Sequence, residues 1–214
     1  MAKIRISAGN LAVRVRVDET NEAYFFGLLN KKAFLEKGRF LITALGGAAE
    51  MTPLGKKLLE SRYGAEFQEG MDARFVIDES HLEDVLRIFE SRDSSLYETD
   101  ATREVREELA TKELPILDSP VLSEKEMTQV KVVYVKTARQ QSSGATGTSA
   151  REGEIPTRRI FNLFEIVVPK AIFEKIAACP AVKILTPQEI ATTRGGASKG
   201  RAADGAELGD NLIW

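Results

Sequence analysis

Three glutamates, Glu104, Glu107 and Glu108, stand in the run Arg103-Glu104-Val105-Arg106-Glu107-Glu108. On a helix they occupy positions i, i+3 and i+4, so three carboxylates project on one side. Like charges at that spacing repel by roughly 0.2–0.5 kcal/mol per pair. A helix that carries them either has basic partners close by or binds a cation. Arg103 and Arg106 supply the first option, a salt-bridged and solvated helix. A divalent ion supplies the second. A second feature is the pair Gly46-Gly47, which ends the apolar run Arg39 to Leu45. Such a pair makes an ordinary turn, or it lets the backbone approach a ligand closely.

Composition narrows the chemistry. The 214 residues are 43% apolar and 29% charged, which suits one large soluble domain or a domain carrying a sizeable insertion. A single cysteine, Cys179, excludes a disulfide framework and any multi-cysteine zinc or iron–sulfur site. A single histidine, His81, excludes a histidine-rich metal centre. Metal chemistry must then be oxygen-ligated, which means magnesium, manganese or calcium. Thirty basic residues against 32 acidic ones argue against a nucleic-acid partner held by bulk charge. No apolar run resembles a signal peptide or a membrane span, so a cytoplasmic protein without a membrane partner is expected.

The glutamate run needs elements to position it. Strands are expected at Ile4 and Ile6, at Val13 to Val17 (where valine and arginine alternate strictly), at Ala23 to Leu29 and at Arg39 to Leu45. Leu54, Leu58 and Leu59 suit a short helix after Pro53, and Arg74 to Asp78 suits a strand. Ser80 and Glu83 have capping-box spacing, followed by an apolar face of Leu82, Val85, Leu86 and Phe89. That face either covers the chain's own core or offers a partner or homodimer surface. A second box, Ser95 with Glu98, is expected to open the helix that carries the glutamates. Ala101, Val105 and Leu109 would be its packed face, and Leu114 before Pro115 its limit. Strands follow at Val130 to Val135 and Ile160 to Val168, separated by a long Ser/Gly/Thr-rich loop from Gln140 to Glu154. Then come a helix to Ala178, a strand at Val182 to Leu185, and a helix capped by Thr186 with Pro187 in its first turn.

With these residues in hand, the sequence resembles the Nudix hydrolase family. The helical half of that family's box, Arg-Glu-apolar-any-Glu-Glu, is present as Arg103 to Glu108. Leu45-Gly46-Gly47-Ala48-Ala49-Glu50 is similar to the Gly-Gly-x-x-Glu that opens the box. The order of later elements, as far as Ile184 to Ile190, is also similar, so the resemblance covers roughly residues 4 to 192. The pattern departs in three ways. The loop glutamate expected between the halves of the box has no clear counterpart, Ser95 or Asp93 standing in that neighbourhood with Glu98 close behind. Residues 51–95 separate the halves of the box, and Ala110 stands where the helix usually ends in glycine.

The resemblance implies an α/β (α+β) fold, a Nudix-like α/β/α sandwich with a mixed β-sheet. It further implies one domain over residues 1–192 with an insertion at about 51–94, and a Gly/Ala-rich tail over 193–214. The implied activity is metal-dependent hydrolysis of a nucleoside diphosphate linked to another moiety, or of a related pyrophosphate, with Mg²⁺ or Mn²⁺ as cofactor. Glu107 and Glu108 would be principal metal ligands, Glu104 a further ligand or the base that accepts the water's proton, and Glu50 an outer ligand. Arg103 would orient the glutamates, Gly46 and Gly47 would shape the backbone beside them, and Glu165 would be a remote carboxylate. Two other readings stand beside this one. The first is a non-catalytic domain of the same fold that senses a nucleotide or binds a partner. The second is an unrelated α+β protein whose glutamate helix is salt-bridged.

Overall fold

The alternation at the start of the chain becomes one long strand. In a computed structural model, which describes residues 2–111, 119–142, 155–193, 200–209 and 211–214 (side chains of 141 and 142 excepted), Ile4, Ile6, Val13, Val15 and Val17 are all buried along strand β1 (Lys3–Val17). Arg14 and Arg16 occupy the alternate, half-buried positions, as a period of two requires. Strand β2 (Ala23–Leu29), helix α1 (Lys31–Lys37), strands β3 (Leu41–Thr43) and β4 (Leu45–Ala48) and helix α2 (Pro53–Tyr63) follow. Next come strands β5 (Glu66–Phe67) and β6 (Arg74–Asp78) and helices α3 (Leu82–Ser91), α4 (Thr102–Arg106) and α5 (Glu124–Met127). Strands β7 (Lys131–Ser142) and β8 (Thr157–Val168), helix α6 (Lys170–Ala178), strand β9 (Val182–Leu185), helix α7 (Pro187–Thr192) and strand β10 (Glu207–Leu208) complete the order. The fold is of the expected α+β class, with mostly antiparallel strands.

Two compact units divide the chain. The first comprises Met1–Asn10, Gly47–Asp100 and Lys136–Asn162. In it β1 pairs antiparallel with β6, from Lys3 opposite Asp78 to Ser7 opposite Arg74, and β6 pairs with β5. Helix α2 is capped by Thr52, whose hydroxyl accepts from the Gly55 N–H, with Pro53 in its first turn and Gly64 in left-handed geometry after its last. Helix α3 buries Val85, Leu86 and Phe89 in a core shared with Ile4, Ile6, Leu59, Phe75, Ile77 and Tyr97. Of the two roles open to that apolar face, the helix covers its own core.

The second unit comprises Leu11–Gly46, Ala101–Val135 and Leu163–Trp214. Here β2 is central, antiparallel to β1, β3 and β9, and β3 takes β10 as a parallel neighbour. Helix α6 buries Ile172 and Ile176, and α7 has the expected cap at Thr186 with Pro187 in its first turn, completed as a capping box by Glu189.

Three expectations need correction. Ser80 does not cap α3. It lies in the 3₁₀ turn Glu79–His81, where the Asp78 carboxylate accepts from its N–H at 3.0 Å and its hydroxyl at 2.7 Å. A short Asp side chain at a strand end captures the nearby donors before Ser80 can act as acceptor. Ser95 and Glu98 form no capping box either. Asp93 accepts from the Ser95 N–H, the Glu98 carboxylate accepts from the Glu50 N–H at 3.4 Å, and the helix begins only at Thr102. Finally, Gly46 and Gly47 lie inside β4 rather than beyond a strand ending at Leu45. Helix α1 is an element the apolar pattern did not predict, because it buries only Ala33; its signals are the Asn30 cap and Gly38 at φ +60°. The boundary at Leu114-Pro115, most of the loop 140–154 and part of the tail lie outside the described residues.

Candidate functional site

The glutamate run begins where Ala101, which supplies no side-chain cap, leads into α4. Ala101, Val105 and Leu109 are fully buried, so the four-residue spacing fixes which face of the segment turns inward. Helical geometry of the α type lasts only from Thr102 to Arg106. From Glu107 to Thr111 the chain widens into a π turn, where hydrogen bonds span five residues instead of four. The segment thus ends without the glycine that Ala110 replaces. The Leu109 carbonyl at its end accepts from the Leu122 N–H at 2.8 Å.

The acids do not share one environment. The Glu104 side chain is only 10% exposed, and its Oε1 meets Arg103 Nη2 at 2.9 Å. The same guanidinium reaches Glu107 Oε1 through Nη1 at 3.1 Å, so Arg103 serves both carboxylates. Arg106 points away from this group and pairs with Glu124 at the start of α5. That short helix is itself tied down. Its Glu126 carboxylate accepts from Lys175 Nζ and from the N–H and hydroxyl of Ser123. The Lys175 ammonium, and after it the Ser123 donors, hold the Glu126 carboxyl well below the usual range, at about 2.

Glu108 has a different setting. It lines a cavity of about 700 Å³ in the second unit, a size within the range of small-ligand pockets. Gly46 lines the same cavity, together with Asn30, Lys31, Lys32, Thr43 and Asn211. Gly46 has φ +134°, a value that a residue with a side chain rarely adopts, and this lets the β4 backbone form part of the wall. Asn30 is already occupied as the α1 cap, its Oδ1 accepting from the Ala33 N–H at 2.9 Å.

The remaining sequence-predicted residues stand elsewhere. Gly47 and Glu50 belong to the first unit, where exposed Glu50 forms a backbone bridge with Asp72 and its carbonyl accepts from the Glu98 N–H. Glu165 is a buried structural acid of the second unit, gripped by Arg16 at 2.7 Å and Arg14 at 3.2 Å; Arg14 also stacks over Trp214. Among the described residues, no group of three or more His, Cys, Asp and Glu side chains is gathered in a way that could hold a metal ion. With Arg103 across Glu104 and Glu107, the donor set as folded does not fit a protein-held Mg²⁺ or Mn²⁺.

Lys31, Lys32 and Asn211, which also line the cavity, carry no signal in the sequence that marks them. The two lysines begin a helix with no apolar period, and Asn211 follows a Gly/Ala-rich stretch. Only the Asn30 cap hinted that this corner is ordered. No helix among the described residues is long and apolar enough to cross a membrane.

Comparison with known proteins bears on this geometry. The sequence model of the family described as SMODS-associated NUDIX domain matches residues 3–207, nearly the whole chain. Domains of the Nudix family are usually hydrolytic. No curated protein and no solved structure gives a match.

Proposed function

Because the chain belongs to the Nudix family, as a SMODS-associated NUDIX domain, we propose that its second unit binds a nucleoside diphosphate linked to another group, or a related pyrophosphate, in the cavity walled by Gly46 and Glu108. One observation carries this reading: the last glutamate of the Arg-Glu-Val-Arg-Glu-Glu run and the first glycine of the Gly-Gly pair line a single polar cavity, with Lys31 and Lys32 beside them. Two ammonium groups against one carboxylate favour an anionic ligand, and lysine is a common point-charge partner for phosphate. The likeness to Gly-rich phosphate sites is one of chemistry, since a glycine wall brings backbone close to bulky oxygens.

Hydrolysis of the diphosphate linkage is the second reading. It is favoured by the intact glutamate run, of which Glu108 reaches the cavity wall. Arg103 then acts as a positioning residue that holds Glu104 and Glu107 in register, and any Mg²⁺ or Mn²⁺ arrives with the substrate. Recognition without turnover is the alternative, and the neutralised Glu104 and Glu107 favour it.

Calorimetry with ADP, ADP-ribose and inorganic pyrophosphate, with and without Mg²⁺ or Mn²⁺, tests the binding. Chromatography of the same mixtures tests turnover. Binding that weakens at least tenfold in a Lys31→Gln, Lys32→Gln double variant is the expected result. Absence of binding to every probe overturns the proposal. Product formed by the wild type and lost on Glu108→Gln selects hydrolysis, whereas binding without product selects recognition.

A further inference from the structure

One end of the Asn211 side-chain amide is committed to the backbone. Its Oδ1 accepts from the Ala44 N–H at 3.2 Å, and this decides which end of the amide is which. The oxygen is turned to the backbone of the chain between β3 and β4, so the NH₂ group is the end left for the cavity that Asn211 lines. Asn211 is half-buried, and among the described residues no acceptor takes either of its Nδ2 protons. An NH₂ group so oriented is a donor pair waiting for an acceptor.

The segment around it is fixed. Residues Glu207 and Leu208 pair in parallel with Leu41 and Ile42. The Gly209 N–H donates to the Ile42 carbonyl at 2.7 Å, and the Leu212 N–H to the Gly209 carbonyl at 3.1 Å. Leu212 is fully buried, and the Thr193 hydroxyl donates to its carbonyl. A Cβ on Gly209 would come within 2.9 Å of Asn211 Oδ1 and 3.0 Å of Thr43 Cγ2, so glycine is what lets this amide sit so close to its own backbone. The position is built, not incidental.

We propose that Asn211 reads the ligand of this cavity. Its NH₂ donates to an acceptor oxygen on a phosphorylated sugar whose phosphate is taken by Lys31 and Lys32. Glu108, which as a carboxylate only accepts, takes a sugar hydroxyl proton donor. The ligand class is therefore a sugar phosphate of the kind nucleotides carry, rather than bare pyrophosphate. This inference rests on the reading of the cavity as the ligand site.

The test is calorimetric titration of the full chain with ADP-ribose and with inorganic pyrophosphate. Asn211→Asp keeps the acceptor for Ala44 and replaces the donor by an anionic oxygen. It is expected to weaken ADP-ribose at least tenfold with an unchanged unfolding midpoint, and wild-type protein is expected to bind ADP-ribose more tightly than pyrophosphate. In ¹⁵N-labelled wild-type protein, the Asn211 side-chain NH₂ signals, assigned by their loss in the folded Asn211→Leu variant, are expected to shift on adding ADP-ribose; the shift itself is read on the wild-type protein. If the Lys31→Gln, Lys32→Gln double variant loses binding while Asn211→Asp keeps it and the NH₂ signals stay put, the inference falls and the cavity reading stands. If wild-type protein binds neither probe, or binds with the lysine change having no effect, the cavity reading falls and takes the inference with it.

Discussion

Asparagine side chains are used in opposite ways in the two units. In the first unit Asn10 and Asn162 are 1% and 4% exposed, and every polar atom is spent. Asn10 donates to the Glu98 carbonyl at 2.9 Å and the Asp100 carbonyl at 3.2 Å, and its Oδ1 accepts from Asn162 at 3.1 Å. Asn162 donates also to the Tyr97 hydroxyl, accepts from Thr137 at 3.0 Å, and Tyr97 in turn donates to the Phe89 carbonyl. In the second unit Asn211, which lines the cavity, spends its oxygen on Ala44, and among the described residues no acceptor takes its NH₂. A closed network specifies a fold, because each missing partner leaves a buried group unsatisfied. A half-used amide beside a cavity costs little, because water can satisfy its NH₂. The contrast sets a closed polar network in the first unit against the cavity proposed as the ligand site in the second.

The largest expected effect lies in the scaffold. Phe89→Ala removes a fully buried ring that packs on Tyr97 and Phe75, and the expected loss is about 3–5 kcal/mol in urea unfolding followed by circular dichroism. A loss below about 1 kcal/mol would mean that this core is loosely packed.

Asn10→Leu comes next. It is nearly isosteric and strands two carbonyls and one Asn162 proton, for an expected loss of about 2–4 kcal/mol. Asn211→Leu, measured alongside, should change stability by no more than about 1 kcal/mol, since one half-buried hydrogen bond goes. Equal losses at the two positions would break the comparison outright. Trp214, the only tryptophan, belongs to the second unit and reports its unfolding by fluorescence.

The smallest effect is electrostatic and sits under the glutamate run. Glu126 has its carboxyl lowered to about 2 in the folded chain, so its ion pair with Lys175 is fully in place above the ordinary carboxylate range. That stability is lost as pH falls from about 4.5 toward 2. Glu126→Gln should therefore flatten the acid limb of the stability profile and change little at pH 7 beyond the loss of the capping acceptor. An unaltered acid limb would show that Lys175 does not hold this carboxylate in solution.

Much of the secondary structure was legible along the chain. The four-residue recurrence of Ala101, Val105 and Leu109 named the inward face of the glutamate segment, and Val85, Leu86 and Phe89 named that of α3. Thr186-Pro187-Gln188-Glu189 announced its own cap. These features depend on residues within one or two turns of one another, where periodicity and short-range hydrogen bonds decide the outcome. Ser80 misled because a nearer acceptor, Asp78, existed at the end of a strand whose boundary only pairing with β1 defines.

Amino-acid order alone thus determined the strand and helix faces, a composition with too few cysteines and histidines for a multi-cysteine or histidine-rich metal centre, and the run of acids on one helical segment. Tertiary structure decided how those acids are spent: Arg103 takes Glu104 and Glu107, Arg106 goes to Glu124, and Glu108 meets Gly46, two lysines and Asn211 around a common space. The physical reason is that a side chain's partners are set by which donors and charges lie within about 3–4 Å. For Asn211 and Gly46 those neighbours come from distant parts of the chain, which spacing along the sequence does not encode.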